Sequence, residues 1–444
     1  MLKRERAKEI FKKVLKYSTA DETEAFITST SYSLTRFANN CIHQNVAEDS
    51  LGLSVRAVVS QRTARASTNK LDESSIRQVC EAALALARLQ PPNPELLPMA
   101  GPQLYRAVDR FDGESAELSP QARAETVRTV IARAEGDALT AAGVYSNGVH
   151  VTGLFNSRGL EAFHEETSAE FSITMLKEGG SGWAKKTSPC CLELEPEVLA
   201  DRAAAKALEN RDQKDIAPGK YTVILEPAAV LDLLGFLFFD FGGLSVHERR
   251  SCLTDRVGQK LFGENINVRD DVFHPLQAGA PFDGEGVPRR RVKLVEKGTV
   301  SNLVYARSTA RKMGKAATGH GFPLPNEYGE APMNIVMDGG KSSVENMVKS
   351  TSRGLLVTRL WYIREVDPYQ KILTGMTRDG TFWIEDGEVK HAVRNLRFNQ
   401  SLFDMLNAVE TMGAPQRTAG EESFEMVVPA MKVNEFNFSS STRY

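Results

Sequence analysis

At 444 residues, with 41% hydrophobic and 25% charged residues, the chain has the make-up of an ordinary soluble globular protein and is too long for one compact core. Lys plus Arg (55) nearly balance Asp plus Glu (57), leaving a formal net charge of −2, which argues against a phosphate-neutralising nucleic-acid surface. The five cysteines, Cys41, Cys80, Cys190, Cys191 and Cys252, are odd in number and form no C-x-x-C pair, which excludes a disulfide framework and points to a reducing compartment.

The opening "MLKRERAKEIFKKVLKY" is charged throughout, so it reads as a helix with Ile10, Phe11, Val14 and Leu15 on one stripe and not as a signal peptide. With no membrane-length apolar run, a cytoplasmic protein is expected. "EAFITSTSYSLTRFANNCIHQNVAED" and "LGLSVRAVVSQRTARAST" alternate in polarity, as antiparallel strands do. "NKLDESSIRQVCEAALALARL" returns to helical spacing, with Ile76, Val79, Cys80, Ala83 and Ala87 on one face and Asp72 or Ser74 as cap. The prolines of "QPPNPELLP" begin a connector, taken as residues 90–118. Ser119 and Pro120 then start a helix, a strand series follows with a turn at Asn156–Gly159, and another helix covers about Pro196 to Asn210.

The polar stretch "RDQKDIAPGK" marks the main boundary, dividing an N-terminal domain (1–213, split by the connector) from a C-terminal one (214–444). The second half opens with the strand "YTVILEP" and an apolar helix, "AAVLDLLGFLFFDF"; a hairpin turns at Asp386–Gly387. Strands outnumber helices and crossover helices are few, so the expected class is α+β, two domains with mainly antiparallel sheets flanked by helices.

The candidate chemistry is sparse. "LSVHERRSCL" begins like a zinc-peptidase H-E-x-x-H, but Ser251 stands four residues after His247. Cys252 is five residues on, about 140° round a regular helix, so a His247/Glu248/Cys252 metal site needs a bend. The simpler reading has Glu248, Arg249 and Arg250 solvated and Cys252 packed inward. His320 lies between glycines in "ATGHGF", where backbone can approach a ligand, though a plain loop accounts for it too. Asp283 and Glu285 in "PFDGEG" have the chemistry of an acid–base pair or hard-metal ligands; a turn in which Asp283 bonds its own backbone is the plainer account. His164, in the alternating "FHEE", is expected to face outward, and Arg289–Arg290–Arg291 to form a solvated face. No GxGxxG, P-loop or G-x-S-x-G is present.

Taken in order, several stretches resemble the TldD/PmbA (TldD/TldE) family: "GLSVRAVVSQRTARASTNKLDESSIRQVCEAALALAR", "LFNSRGLEAFHEETSAEFSI", "TDRVGQKLFGENINVRDD", "GAPFDGEGVPRRRVKLVEKGTVSNLVYARSTARKMGKAATGHG", "APMNIVMDGG" and "DGTFWIEDGEVKHAVRNLRFNQSLFDMLNAVETMG". The resemblance spans nearly the whole chain. It implies a two-domain α+β dimer in a family of peptide-processing zinc metalloproteases, with an older label as modulators of DNA gyrase. In the TldD branch the metal motif is H-E-x-x-x-H on the helix after the first strand of the C-terminal domain, with a Cys ligand near the C-terminus. Here the matching stretches, "AAVLDLLGFLFFDF" and "QRTAGEESFE", hold neither His nor Cys. The resemblance therefore implies the TldE (PmbA) branch: no cofactor bound by this chain, zinc carried by a TldD-type partner in a heterodimer (a homodimer being the other arrangement), and unfolded peptide as substrate. Two other readings stand beside it: an autonomous metallohydrolase built on His247, Glu248 and Cys252, and a non-enzymatic regulator of gyrase type.

Overall fold

The computed structural model describes residues 2–442. The first sheet is a meander of long antiparallel strands: β1 (Glu22–Ala38), β2 (Cys41–Val59), β3 (Arg62–Thr68), β4 (Thr140–Asn156), β5 (Glu161–Lys177) and β6 (Gly180–Ser188), in the order β3-β2-β1-β4-β5-β6. Its hairpins turn tightly. Asn39–Asn40 and Ser60–Gln61 hold positive φ at both central positions, the conformation that matches the twist of the flanking strands. At the β4–β5 turn, Asn156 Oδ1 accepts from Arg158 N at 2.9 Å, and Gly159 takes φ +86°.

The pleat sorts this sheet into two faces. Odd-numbered residues of β1 and β4, such as Ala25, Ile27, Val149 and Phe155, pack under α1 (Arg4–Tyr17) and α2 (Glu73–Leu89). Further along the same face, Phe37, Tyr145 and Phe171 pack under α4 (Pro120–Gly136) and α5 (Pro196–Glu209), beyond the short α3 (Gly113–Glu117). The buried stripe of α2 is Ile76, Val79, Cys80, Ala83 and Ala87, and Asp72 caps it by accepting from Ser75 N at 2.9 Å. Ser119 caps α4 with Pro120 in its first turn. The connector has no regular structure apart from a turn at 93–96 and α3, and is tied to the sheet where Met99 N donates to Glu22 Oε2 at 2.8 Å and Asp112 N to Thr167 Oγ1 at 2.9 Å.

Part of the opposite face is covered as well. Even-numbered Phe26, Leu154 and Ala162 pack against Ala280 and Phe282 from the second half of the chain. Covering both faces of an antiparallel sheet removes the polar side that simple alternation implies, and this corrects the expectation for His164. That residue is buried, with Nε2 3.5 Å from Glu166 Oε2, while Glu166 also accepts from Gly279 N at 2.7 Å.

The second half supplies β7 (Gly219–Leu225), β8 (Val268–Asp270), β9 (Val292–Glu296), β10 (Thr299–Val300), β11 (Ile335–Met337), β12 (Arg353–Asp367), β13 (Ile372–Glu385), β14 (Glu388–Ala392), β15 (Leu396–Ser401), β16 (Val409–Met412), β17 (Gln416–Thr418), β18 (Met426–Val428) and β19 (Met431–Ser441). They form two sheets, one ordered β10-β9-β8-β11-β18-β17 and one ordered β12-β7-β19-β15-β13-β14 with β16 beside β19. Pairing is antiparallel except at β7–β12 and β11–β18. The β13–β14 hairpin turns at Asp386 and Gly387, both with positive φ. The class is α+β with mainly antiparallel sheet. No helix among the described residues is long and apolar enough to cross a membrane.

The apolar run expected as one helix is shorter than its sequence suggests. Helix α6 (Pro227–Leu234) stops before Gly235; the chain then turns, and Phe238–Phe241 form a separate 3₁₀ turn. Packing is close at this point: a Cβ on Gly235 would lie 1.8 Å from Ser423 Oγ, so the backbone itself carries the contact there.

Candidate functional site

Helix α6 leaves β7 through Glu226, whose carboxylate receives Lys206 Nζ at 2.6 Å from α5. Pro227 is pre-shaped for the first turn, and every residue from Ala228 to Leu234 is buried. One of them is charged by type. Asp232, fully enclosed, accepts from Glu422 N at 3.1 Å through Oδ1, while Oδ2 has no hydrogen-bond partner among the described residues. Gly420 comes so near that a Cβ would stand 2.2 Å from Oδ1. Burial pushes the Asp232 carboxyl up to about 7; the Glu422 N–H and the Arg359 guanidinium oppose that rise, and the charges of Glu422 and Glu421 add to it.

The two stretches singled out by the family resemblance thus meet in space: α6 lies against the segment that joins β17 to β18. What they bring together does not suit zinc. The donors here are carboxylate oxygens, and two are already engaged. Glu421 lies 3.6 Å from Lys185 Nζ, and Glu422 Oε1 accepts from Tyr362 N at 2.8 Å. Protein zinc sites are built on imidazole nitrogen or thiolate sulfur, with a carboxylate at most beside them, and neither stretch holds a His or Cys. Among the described residues, no group of three or more His, Cys, Asp or Glu could hold a metal ion.

The residues of "HERRSC" are dispersed. A short helix, α7 (Gly243–His247), ends at His247; Glu248 caps it, and Arg249 reverses the chain with φ +59°. His247 and Glu248 are exposed. Cys252 is buried in the main core with its N–H donated to Asp240 Oδ1 at 2.8 Å, and burial raises its thiol pKa far above the ordinary value. An exposed imidazole and a buried, protonated thiol do not form a ligand pair.

His320, Asp283 and Glu285 do come together. Asp283 Oδ1 accepts from Glu285 N and Val287 N at 2.9 Å, and Oδ2 accepts from Gly321 N at 2.7 Å. The plain turn reading of Asp283 is correct, with one long-range bond added. Glu285 Oε1 accepts from Arg307 N at 3.0 Å, and burial, then the Asp283 charge, pushes its carboxyl up to about 7. His320 lies in a loop but is buried: its Nε2 sits 2.9 Å from Asp270 Oδ1, both side chains fully buried. Asp270 Oδ2 accepts from Met333 N and Asn334 N, each at 2.8 Å. Burial alone would raise the Asp270 pKa, but His320, Arg289 and the Asn334 N–H together hold it below the usual carboxylate range.

Neither Asp232 nor Asp270 is among the candidates read from the sequence. Asp232 had a signal, a lone acid inside an apolar helical window; Asp270, in "VRDDVF", had none.

Three family models match in chain order: PmbA/TldA metallopeptidase domain 1 over residues 23–87, the central domain over 113–211 and the C-terminal domain over 218–440. The chain is 26% identical over 416 residues to Metalloprotease PmbA of Escherichia coli O157:H7, covering 88% of this chain and 87% of that one. In Haemophilus influenzae it is similar to a Metalloprotease PmbA homolog (25% over 382 residues, 81% and 79% covered) and to a Metalloprotease TldD homolog (24% over 334 residues, 68% and 67% covered). The crystal structure of TldE from Thermococcus kodakarensis shares the fold, with a TM-score of 0.89 at 22% identity over 98% of this chain and 99% of that one. The chain belongs to the PmbA/TldD family of metallopeptidases.

Proposed function

We propose that this chain is the TldE/PmbA-type subunit of a heterodimeric metallopeptidase that processes unfolded peptides, with zinc supplied by a TldD-type partner. The observation that carries the reading is the junction of α6 with the β17–β18 segment. It is built of Asp232, Glu421, Glu422, leucines and backbone, with no imidazole or thiolate to anchor zinc. Leu233, Leu234, Leu237 and Phe241 are buried around it and belong to the core that stabilises the fold. In this reading residues 1–213 and 214–444 act as two domains. The five cysteines, all unpaired, accord with a cytoplasmic pair.

A role in guiding substrate is supported by a cleft of about 800 Å³ that reaches the start of α6. Consecutive residues Trp183–Pro189 and Gln416–Ala419 line it. Side chains alternate along a strand, so a strand presents successive residues to one space only along its edge. Both β6 and β17 end their sheets. An extended peptide can take main-chain hydrogen bonds from such edges.

The test is to purify this chain alone, with a TldD-type partner, and the partner alone, and to follow cleavage of an unfolded peptide. Cleavage that needs both chains supports the reading; cleavage by this chain alone contradicts it.

A further inference from the structure

The turn at residues 281–289 is a small hairpin, closed by Asp283 N to Val287 O at 3.0 Å and Arg289 N to Pro281 O at 2.9 Å. It lies flat on the 319–323 segment: Gly284 N donates to Gly321 O at 2.8 Å, and a Cβ on Gly284 would meet Pro323 N at 2.3 Å. Between this hairpin and the first sheet is a cavity of about 180 Å³. Phe26, Phe282, Phe322 and Met333 form its apolar wall, and Asp283, Arg289 and His320 its polar side.

The polar groups are unequally served. Asp283 is answered by three backbone N–H groups. Asp270 Oδ1 and His320 Nε2 lie 2.9 Å apart as an ion pair off hydrogen-bond alignment, and His320 Nδ1 also lies 2.9 Å from Thr318 Oγ1. Arg289 faces the charges of Asp270 and Asp283 but keeps unused donors. Its Nε and Nη1 are buried, and neither has a hydrogen-bond partner among the described residues. Its two basic neighbours in sequence behave differently: Arg290 is exposed, and Arg291 pairs with Asp271 at 2.8 Å. The run of three arginines is therefore not one solvated face. Buried N–H donors without an acceptor are costly, and a carboxylate offers them charge-assisted hydrogen bonds.

We infer that this cavity binds a monocarboxylate of side-chain size, held by Arg289 with its apolar part against Phe26, Phe282 and Phe322. Size and charge narrow the class. The volume is below the range of about 300–1,000 Å³ usual for drug-sized ligands. A phosphate dianion would bring a second negative charge beside Asp283 and Asp270, whereas a carboxylate brings one. Phe26, Arg289, Phe322 and Met333 are only half-buried, so the cavity is open to a ligand from solution. The carboxylate can belong to a free small acid or to the C-terminus of a peptide. This inference is independent of the subunit reading, and its failure would leave that reading untouched.

The full chain is titrated at constant ionic strength with 3-phenylpropionate, 3-phenylpropionamide, inorganic phosphate, and a short Phe-ending peptide as free acid and as C-terminal amide. Binding is read by calorimetry and by the shift in Tm. Saturable binding of 3-phenylpropionate but not its amide is expected, weakened about tenfold or more by Arg289→Gln. Ala280→Leu, which fills the cavity and leaves the guanidinium in place, should also abolish it. Binding of the free-acid peptide, and not its amide, assigns the site to peptide C-termini; a peptide that fails where the small acid succeeds assigns it to free acids. The inference is overturned if phosphate alone binds, if acid and amide bind alike, if neither substitution weakens binding, or if no carboxylate binds at millimolar concentration.

Discussion

Asp232 on α6 and Glu422, in the segment between β17 and β18, are 190 residues apart in sequence and joined by a 3.1 Å hydrogen bond from the Glu422 N–H to the buried Asp232 carboxylate. That bond closes the place where helix and C-terminal segment meet. Its neighbour Gly420 has no room for a side chain. Gly420→Ala should force the segment away from α6 and cost about 1–3 kcal/mol, as overpacking does. The shift in urea midpoint at unchanged m-value measures it.

The same junction gives a pH signature. The Asp232 carboxyl is raised from its ordinary 3.8 to about 7 by burial, so between those values the folded chain binds a proton that the unfolded chain has lost. Stability from this group is fully present below about pH 4 and is lost as pH rises through about 7. Glu285, raised to about 7 by burial and by Asp283, acts in the same direction. Asp232→Asn should therefore gain on the wild type by about 1–3 kcal/mol at pH 8 and match it at pH 4, in Tm profiles across that range. A gain independent of pH would place the effect elsewhere.

The His320–Asp270 pair is buried on both sides. His320→Ala leaves Asp270 with its two backbone donors but without its imidazole, and should cost about 3–5 kcal/mol by chemical denaturation.

"HERRSC" separates into a surface residue and a core residue. His247→Ala should change stability by no more than about 0.5 kcal/mol. Cys252→Ser puts a hydroxyl into the main core and should cost about 1–3 kcal/mol. Metal analysis should show the same zinc content in both variants as in the wild type; loss of zinc with either would restore the autonomous metallohydrolase.

Much of this architecture could be read from local pattern. The stripe of α2, the Ser119–Pro120 helix start, and the turns at Asn156–Gly159 and Asp386–Gly387 are set by residues within a few positions of one another. Other features had no local mark. The turns at Asn39–Asn40 and Ser60–Gln61 place non-glycine residues at positive φ, and no Gly or Pro announces them. Alternation showed that His164 shares a face with Glu166, but not that residues 279–282 cover that face. Arg289 looked solvated for the same reason. Apolar periodicity continues past Gly235 and so suggests a longer helix than α6, while the packing of Gly235 on Ser423, distant in sequence, leaves no local mark. That the two stretches hold neither His nor Cys is plain in the residues; the contact between Asp232 and Glu422 is not.

Zinc stoichiometry bears most directly on the subunit reading. The chain is purified alone and with a TldD-type partner, offered the same zinc, desalted and analysed for metal. The account predicts no retained zinc in the lone chain and about one zinc per heterodimer, carried by the partner. One zinc held by this chain by itself, together with peptide cleavage, would contradict it.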